Sequence, residues 1–128
     1  MSTNHNAKAF TFQLGKDRET VIKEIIAEVE KGTGVTIAEL KKHHSEDKVF
    51  FIALKHVSTT KKAITKALNI PVEGACRYKR HYEKLGLLIE SFANIRCPYT
   101  SEEAKEICTN ASDFERLRGF GNNQISLF

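Results

Sequence analysis

One stretch limits the possible folds more than any other: "TTKKAITKALNIPVEGACRYKRHYEKLGLL", Thr59 to Leu88. It holds two helical patterns that cannot fuse into one. Ala63, Ile64, Ala67 and Leu68 mark the apolar face of the first, with Thr59 or Thr60 placed to cap it. Pro71 disfavours helical geometry at Ile70 and is suited to opening a new helix. Ala75, Tyr78, Tyr82 and Leu85 recur at spacings of three and four in the second, and Gly86 ends it.

The flanks extend this unit. "AFTFQL", Ala9 to Leu14, alternates and predicts a short strand. "DRETVIKEIIAEVEKG" predicts a helix that starts at Asp17, ends at Gly32 and buries Val21, Ile22, Ile25, Ile26 and Val29. Thr36 and Glu39 form a capping box for a second short helix. Ser45 or Asp47 caps a third, "DKVFFIALKHV", with Phe50, Phe51, Leu54 and Val57 inward. Beyond Gly86, "LLIESFANI" and "AKEICT" read as two strands joined by the Pro98 turn. A short helix capped by Asn110 or Ser112 closes the folded part.

Helix, turn, helix and two-stranded hairpin in this order resemble the winged helix-turn-helix family over about Asp47 to Thr109. The expected fold is mainly α (α+β): a winged helix-turn-helix with extra N-terminal helices and a two-stranded wing. A single domain spans 1–118, made of an N-terminal helical extension 1–46, a core 47–109 and a closing helix 111–118. Residues 119–128 read as a flexible tail.

Charge falls on the same unit. From Lys48 to Lys84 nine basic residues face two acidic ones, a local charge of +7 in a chain of net +4. That suggests a polyanion-binding face, against the plainer reading of a solvated surface. The resemblance implies that the helix after the turn enters the major groove of double-stranded DNA. Its outward set is then Glu73, Gly74, Arg77, Arg80, His81 and Lys84. Arg77 and Arg80 suit guanine edges, and Gly74 lets the backbone approach. Lys61, Lys62 and Lys66 suit phosphates, and Arg96 of the wing a neighbouring phosphate or the minor groove. Tyr78 and Tyr82 match the buried stripe better than a base-stacking role.

The tail adds a second resemblance. Gln124, Ile125, Ser126, Leu127 and Phe128, "QISLF", are similar to the peptide by which bacterial replication and repair proteins bind the sliding clamp. Ile125 replaces the commoner Leu. The resemblance implies that Leu127 and Phe128 fill an apolar pocket on the clamp and Gln124 hydrogen-bonds beside it. "GFGNN" before them reads as a linker. The competing reading is a final strand or flap over the domain's own core.

No Walker loop, GxSxG, HExxH or paired-carboxylate signature occurs, so an enzyme is not expected, nor a cofactor. Cys97 and Cys108 are placed to oppose each other across the hairpin, but with Cys76 or His81 they match no zinc spacing, and no metal is expected. His43 and His44 are adjacent and point apart on a helix. The start "MSTNHNAKAF" has no signal-peptide pattern, and no apolar run approaches the ~18 residues of a membrane helix. A cytoplasmic protein without membrane contact is expected, its three cysteines reduced. The expected function is a DNA-binding accessory factor of replication, repair or a phage or mobile element, recruited to the clamp. The alternatives are a winged-helix transcriptional regulator with a structural tail, and a protein adaptor without DNA affinity. Homodimerisation through the Val21–Val29 stripe competes with packing of that stripe on the core.

Overall fold

The computed structural model describes residues 6–118. "QISLF" and the residues before it from 119 lie outside them, as does the question of what the tail covers. The described residues form a mixed α+β fold of five α-helices, a closing helical segment and one four-stranded sheet. In chain order these are β1 (Lys8–Ala9), α1 (Arg18–Thr33), α2 (Ile37–His43), α3 (Glu46–His56), β2 (Val57–Thr60), α4 (Lys61–Leu68), α5 (Val72–Lys84), β3 (Ile89–Arg96) and β4 (Glu103–Cys108). A 3-10 turn, Ala111–Asp113, leads into helical residues 114–118.

The sheet order is β1-β2-β4-β3. β3 and β4 make the expected antiparallel hairpin, with Ile89 opposite Cys108 and Arg96 opposite Glu103. β4 returns alongside β2, antiparallel, with Thr60 opposite Glu106. β1 lies parallel to β2. The hairpin is therefore stitched to the short strand that directly precedes α4. This fixes the hairpin against the helical pair.

The core sits between α1, α3, α4 and the sheet. Ile25 and Val29 of α1, Val49, Phe50, Ala53 and Leu54 of α3, and Ile64 and Leu68 of α4 are all fully buried. Caps account for the helix starts. Asp17 accepts from the Thr20 amide at 3.0 Å, Thr36 from Glu39 at 3.1 Å and Thr60 from Ala63 at 3.3 Å. Ser45 occupies the cap position of α3 but makes no cap bond; its hydroxyl donates to Asp47 instead. The second half of the Thr36 box is also replaced. Glu30 of α1, not Glu39, is the carboxylate that accepts from a first-turn amide, that of Ile37.

Four expectations are corrected. The N-terminal strand covers Lys8–Ala9, not Ala9 to Leu14. Phe10 still bonds Ser58 of β2, but Phe12 bonds Arg96 at the end of β3, so the chain leaves β2 and crosses the sheet. Leu14, expected at an apolar position, is 93% exposed. Helix α1 does not stop at Gly32. It runs on to Thr33 and is capped by Gly34 at φ 79°. Gly32 serves a different purpose: a Cβ there would run into the imidazole of His56 on α3, so a side chain at this position would force that ring to move. Val57 belongs to β2 rather than to α3. Finally, Cys97 and Cys108 do not face each other. Ile89 stands opposite Cys108, and Cys97 lies beyond the last pair of the hairpin.

The residues of β2 carry the sequence pattern of a helix end and a cap. All four of its residues, Val57, Ser58, Thr59 and Thr60, are buried. Burying three hydroxyls requires three partners. Thr59 donates to the Phe10 carbonyl at 3.0 Å, Thr60 pairs with the Cys97 thiol at 2.9 Å, and Ser58 bonds Glu106.

Candidate nucleic-acid interface

Helices α4 and α5 are joined by Asn69, Ile70 and Pro71. Asn69 takes the left-handed conformation at φ 56°, a geometry that Asn tolerates better than most residues. The Ile70 amide returns to the Thr65 carbonyl, and its side chain is buried. Lys41 of α2 donates to the Asn69 carbonyl at 3.3 Å. Pro71 caps α5, its missing N–H falling where no helical partner exists.

The inner face of α5 is held by α3. Tyr78 donates to Glu46 at 2.6 Å and Tyr82 to Asp47 at 3.0 Å. The Tyr82 ring lies 4.8 Å from that of Phe51, and Tyr78 lies 6.0 Å from Phe50. Burial, then the Asp47 carboxylate, pushes the Tyr82 phenol up to about 12. The hydroxyl of Ser45, with that of Tyr82, holds the Asp47 carboxyl below its usual range despite partial burial. Both tyrosines thus serve packing and anchoring, as their spacing predicts.

The outer face carries Glu73, Arg77, Arg80, His81 and Lys84, all exposed. Among the described residues, Arg77, Arg80 and Lys84 form no ion pair. Gly74 is not part of this face. It is buried, and the atoms nearest to an added Cβ are the Tyr78 hydroxyl at 3.4 Å and Glu46 Oε1 at 3.5 Å. Those are ordinary contacts, so Gly74→Ala is expected to fit. Alanine favours a helix interior over glycine by up to ~1 kcal/mol. A thermal melt of Gly74→Ala is therefore expected to shift upward, and a downward shift would contradict this packing.

Leu85 is also corrected. It is 57% exposed rather than buried. The helix ends at Lys84, Gly86 turns the chain at φ 76°, and Leu88 enters the core instead.

The remaining basic residues divide. Lys62 and Lys66 are exposed one turn apart on α4. Lys61 is turned inward and donates to the Cys76 thiol at 2.9 Å, which withdraws it from the expected phosphate set. Lys79 is bound to Glu83 at 3.3 Å and Glu90 at 3.2 Å. Burial opposes its charge, but the two carboxylates outweigh that and hold its pKa above the usual lysine range. Arg96 is half-committed: Nε donates to the Ser101 carbonyl at 3.0 Å, and the guanidinium lies 4.4 Å from the Phe12 ring.

Two residues that the sequence did not single out join this region. Tyr99, in the turn between β3 and β4, has Arg18 of α1 5.2 Å from its ring centre and Lys66 5.6 Å from it. No local signal links positions so far apart in the chain.

The thiols are occupied within the fold. Burial would raise the Cys97 pKa, yet bonds from Thr100 and Thr60 bring it below the usual thiol value. Cys108 donates to the Leu54 carbonyl, and burial pushes it up to about 11. Among the described residues no group of three or more His, Cys, Asp or Glu is arranged to hold a metal ion, and no helix is long and apolar enough to cross a membrane. Comparisons with protein-family models, curated proteins and solved structures find no match to this chain.

Proposed function

We propose that this chain is a winged-helix protein that binds double-stranded DNA through α5 and is brought to the replication machinery by its "QISLF" segment. The observation that carries the DNA part is a coincidence of topology and charge. The order α4, turn, α5, β3, β4 agrees with the helix, turn, helix and hairpin of the winged-helix resemblance, and β4 pairs back onto β2. The exposed stripe of Arg77, Arg80, His81 and Lys84 falls on the helix that such a fold presents to the major groove. In this reading Arg77 and Arg80 address base edges, and Lys62 and Lys66 address phosphates. The β3–β4 hairpin is the wing.

A fluorescence-anisotropy titration of a labelled duplex at several salt concentrations tests the reading. Affinity is expected to fall steeply and log-linearly with salt, since phosphate contacts release counterions. A binding signal that is absent, or indifferent to salt, would leave a protein adaptor as the better reading.

The clamp part rests on the sequence of Gln124–Phe128 alone. Burial of one Leu and one Phe contributes on the order of 2 kcal/mol each, and a bonded amide about 1 kcal/mol. The expected affinity for a purified bacterial sliding clamp is about micromolar or weaker. A variant ending at Asn123 is expected to lose that binding while melting at the same temperature. Equal binding by both proteins, or by neither, would remove the clamp from the proposed function.

A further inference from the structure

The core absorbs the apolar stripe of α1 and leaves the start of that helix exposed. Arg18 is the first residue of α1 and is exposed. Its guanidinium and the Lys66 ammonium both lie within 6 Å of one Tyr99 ring, at 5.2 and 5.6 Å. Neither cation has an ion-pair partner among the described residues. Two like charges beside one ring repel, and an aromatic face offsets only part of that. The nearby carboxylates do not relieve it. Asp17 is engaged by the Thr20 amide and hydroxyl, and Glu103 accepts from Asn94. Glu102, the remaining acid of this turn, is exposed and forms no ion pair among the described residues.

The ring itself is firmly placed. Tyr99 packs partly buried against the core, between Cys97, whose thiol is tied to Thr60 and the Thr100 amide, and Ser101, whose amide returns to the Cys97 carbonyl at 2.8 Å. The Phe12 amide and Thr11 hydroxyl both bond the Arg96 carbonyl, which fastens the segment leading to α1 onto the same end of the hairpin. Lys62 and Lys66 share the exposed face of α4, so the cations run from that helix across Tyr99 to α1.

We propose that Arg18 and Lys66, gathered on the Tyr99 ring, form a second contact to the DNA phosphate backbone, which makes the start of α1 part of the interface. The inference rests on the DNA reading above. It assigns to Arg18 a role in affinity and register without sequence preference, because phosphates are the same at every step.

The test compares the full chain with Arg18→Gln, and with Arg18→Gln combined with Lys66→Gln, on two duplexes of unrelated sequence. Each lost phosphate contact is expected to lower the magnitude of the slope of log Kobs against log salt by about 0.9, and the double variant by about 1.8. Affinity falls by the same factor on both duplexes. Melting temperatures stay at the parent value, since Arg18 and Lys66 are exposed. An unchanged slope for Arg18→Gln, with a parent whose DNA binding falls steeply with salt and weakens on Arg77→Ala, overturns this contact and leaves the DNA reading standing. A parent without salt-dependent DNA binding overturns both.

Discussion

Arg77→Ala combined with Arg80→Ala is expected to weaken binding to a preferred duplex by at least about 30-fold. A bidentate arginine–guanine contact discriminates by ~1–3 kcal/mol, so two lost contacts remove ~2 kcal/mol at the least. Loss of preference should accompany loss of affinity. The ratio between preferred and random duplex falls toward one, because only base-edge contacts carry sequence information. Neither residue is part of the core. Both are exposed, and neither is paired with a carboxylate among the described residues. The melting temperature of the double variant is expected to match the parent's. Lys62→Ala supplies the contrast: a weaker, uniform loss on all sequences and a salt slope smaller by about 1. A double variant that retains full preference would remove α5 from the role of reading helix.

The elements that could be read from the sequence are those whose signals are local. Helix α1 shows its apolar stripe and its Asp17 cap within one window, and the α4–α5 break is written in Asn69, Ile70 and Pro71. The two strands of the hairpin alternate well enough to be found. Strand β2 could not be found that way. "VSTT" has one apolar residue, and the burial of the other three depends on partners 37 to 49 positions away. Gly74 has no side chain to declare a face, which is why the outward expectation fails there. Its spacing of four from Tyr78 does place it inward. Leu85 followed the spacing of the helix one residue past its end. Within the candidate site, net charge pointed to the α4–α5 pair but overstated its free cations. Lys61 and Lys79 are bound to Cys76 and to Glu83 and Glu90, and only the folded chain brings those groups together. The Arg18–Tyr99–Lys66 cluster joins three separate segments and has no sequence signature at all.

A basic residue on the other side of the sheet should behave in the opposite way to Arg77. Glu106 of β4 is buried, and Arg116 of the closing helical segment reaches it with Nη2 at 3.2 Å and Nη1 at 3.4 Å. Ser58 of β2 donates to the same carboxylate. Arg116 Nε also reaches Asp113 at 3.4 Å, and Asp113, itself buried, accepts from the Ala7 amide at 2.7 Å. One guanidinium thus links the closing segment to the two middle strands and, through Asp113, to the start of β1. Arg116→Ala leaves Glu106 and Asp113 buried without their shared counter-charge. Breaking a buried pair costs about 3–5 kcal/mol, but the Arg116 side chain is 46% exposed and water screens part of the loss, so about 2 kcal/mol is expected. Urea melts of Arg116→Ala should show that loss at an unchanged slope. Adding Glu106→Gln should recover part of it, because one of the two buried charges is then gone while an acceptor for Ser58 remains. DNA affinity, measured where both variants are fully folded, should not change. If Arg116→Ala instead melts like the parent and weakens DNA binding, the basic surface extends around the sheet, and α5 is not the face that docks.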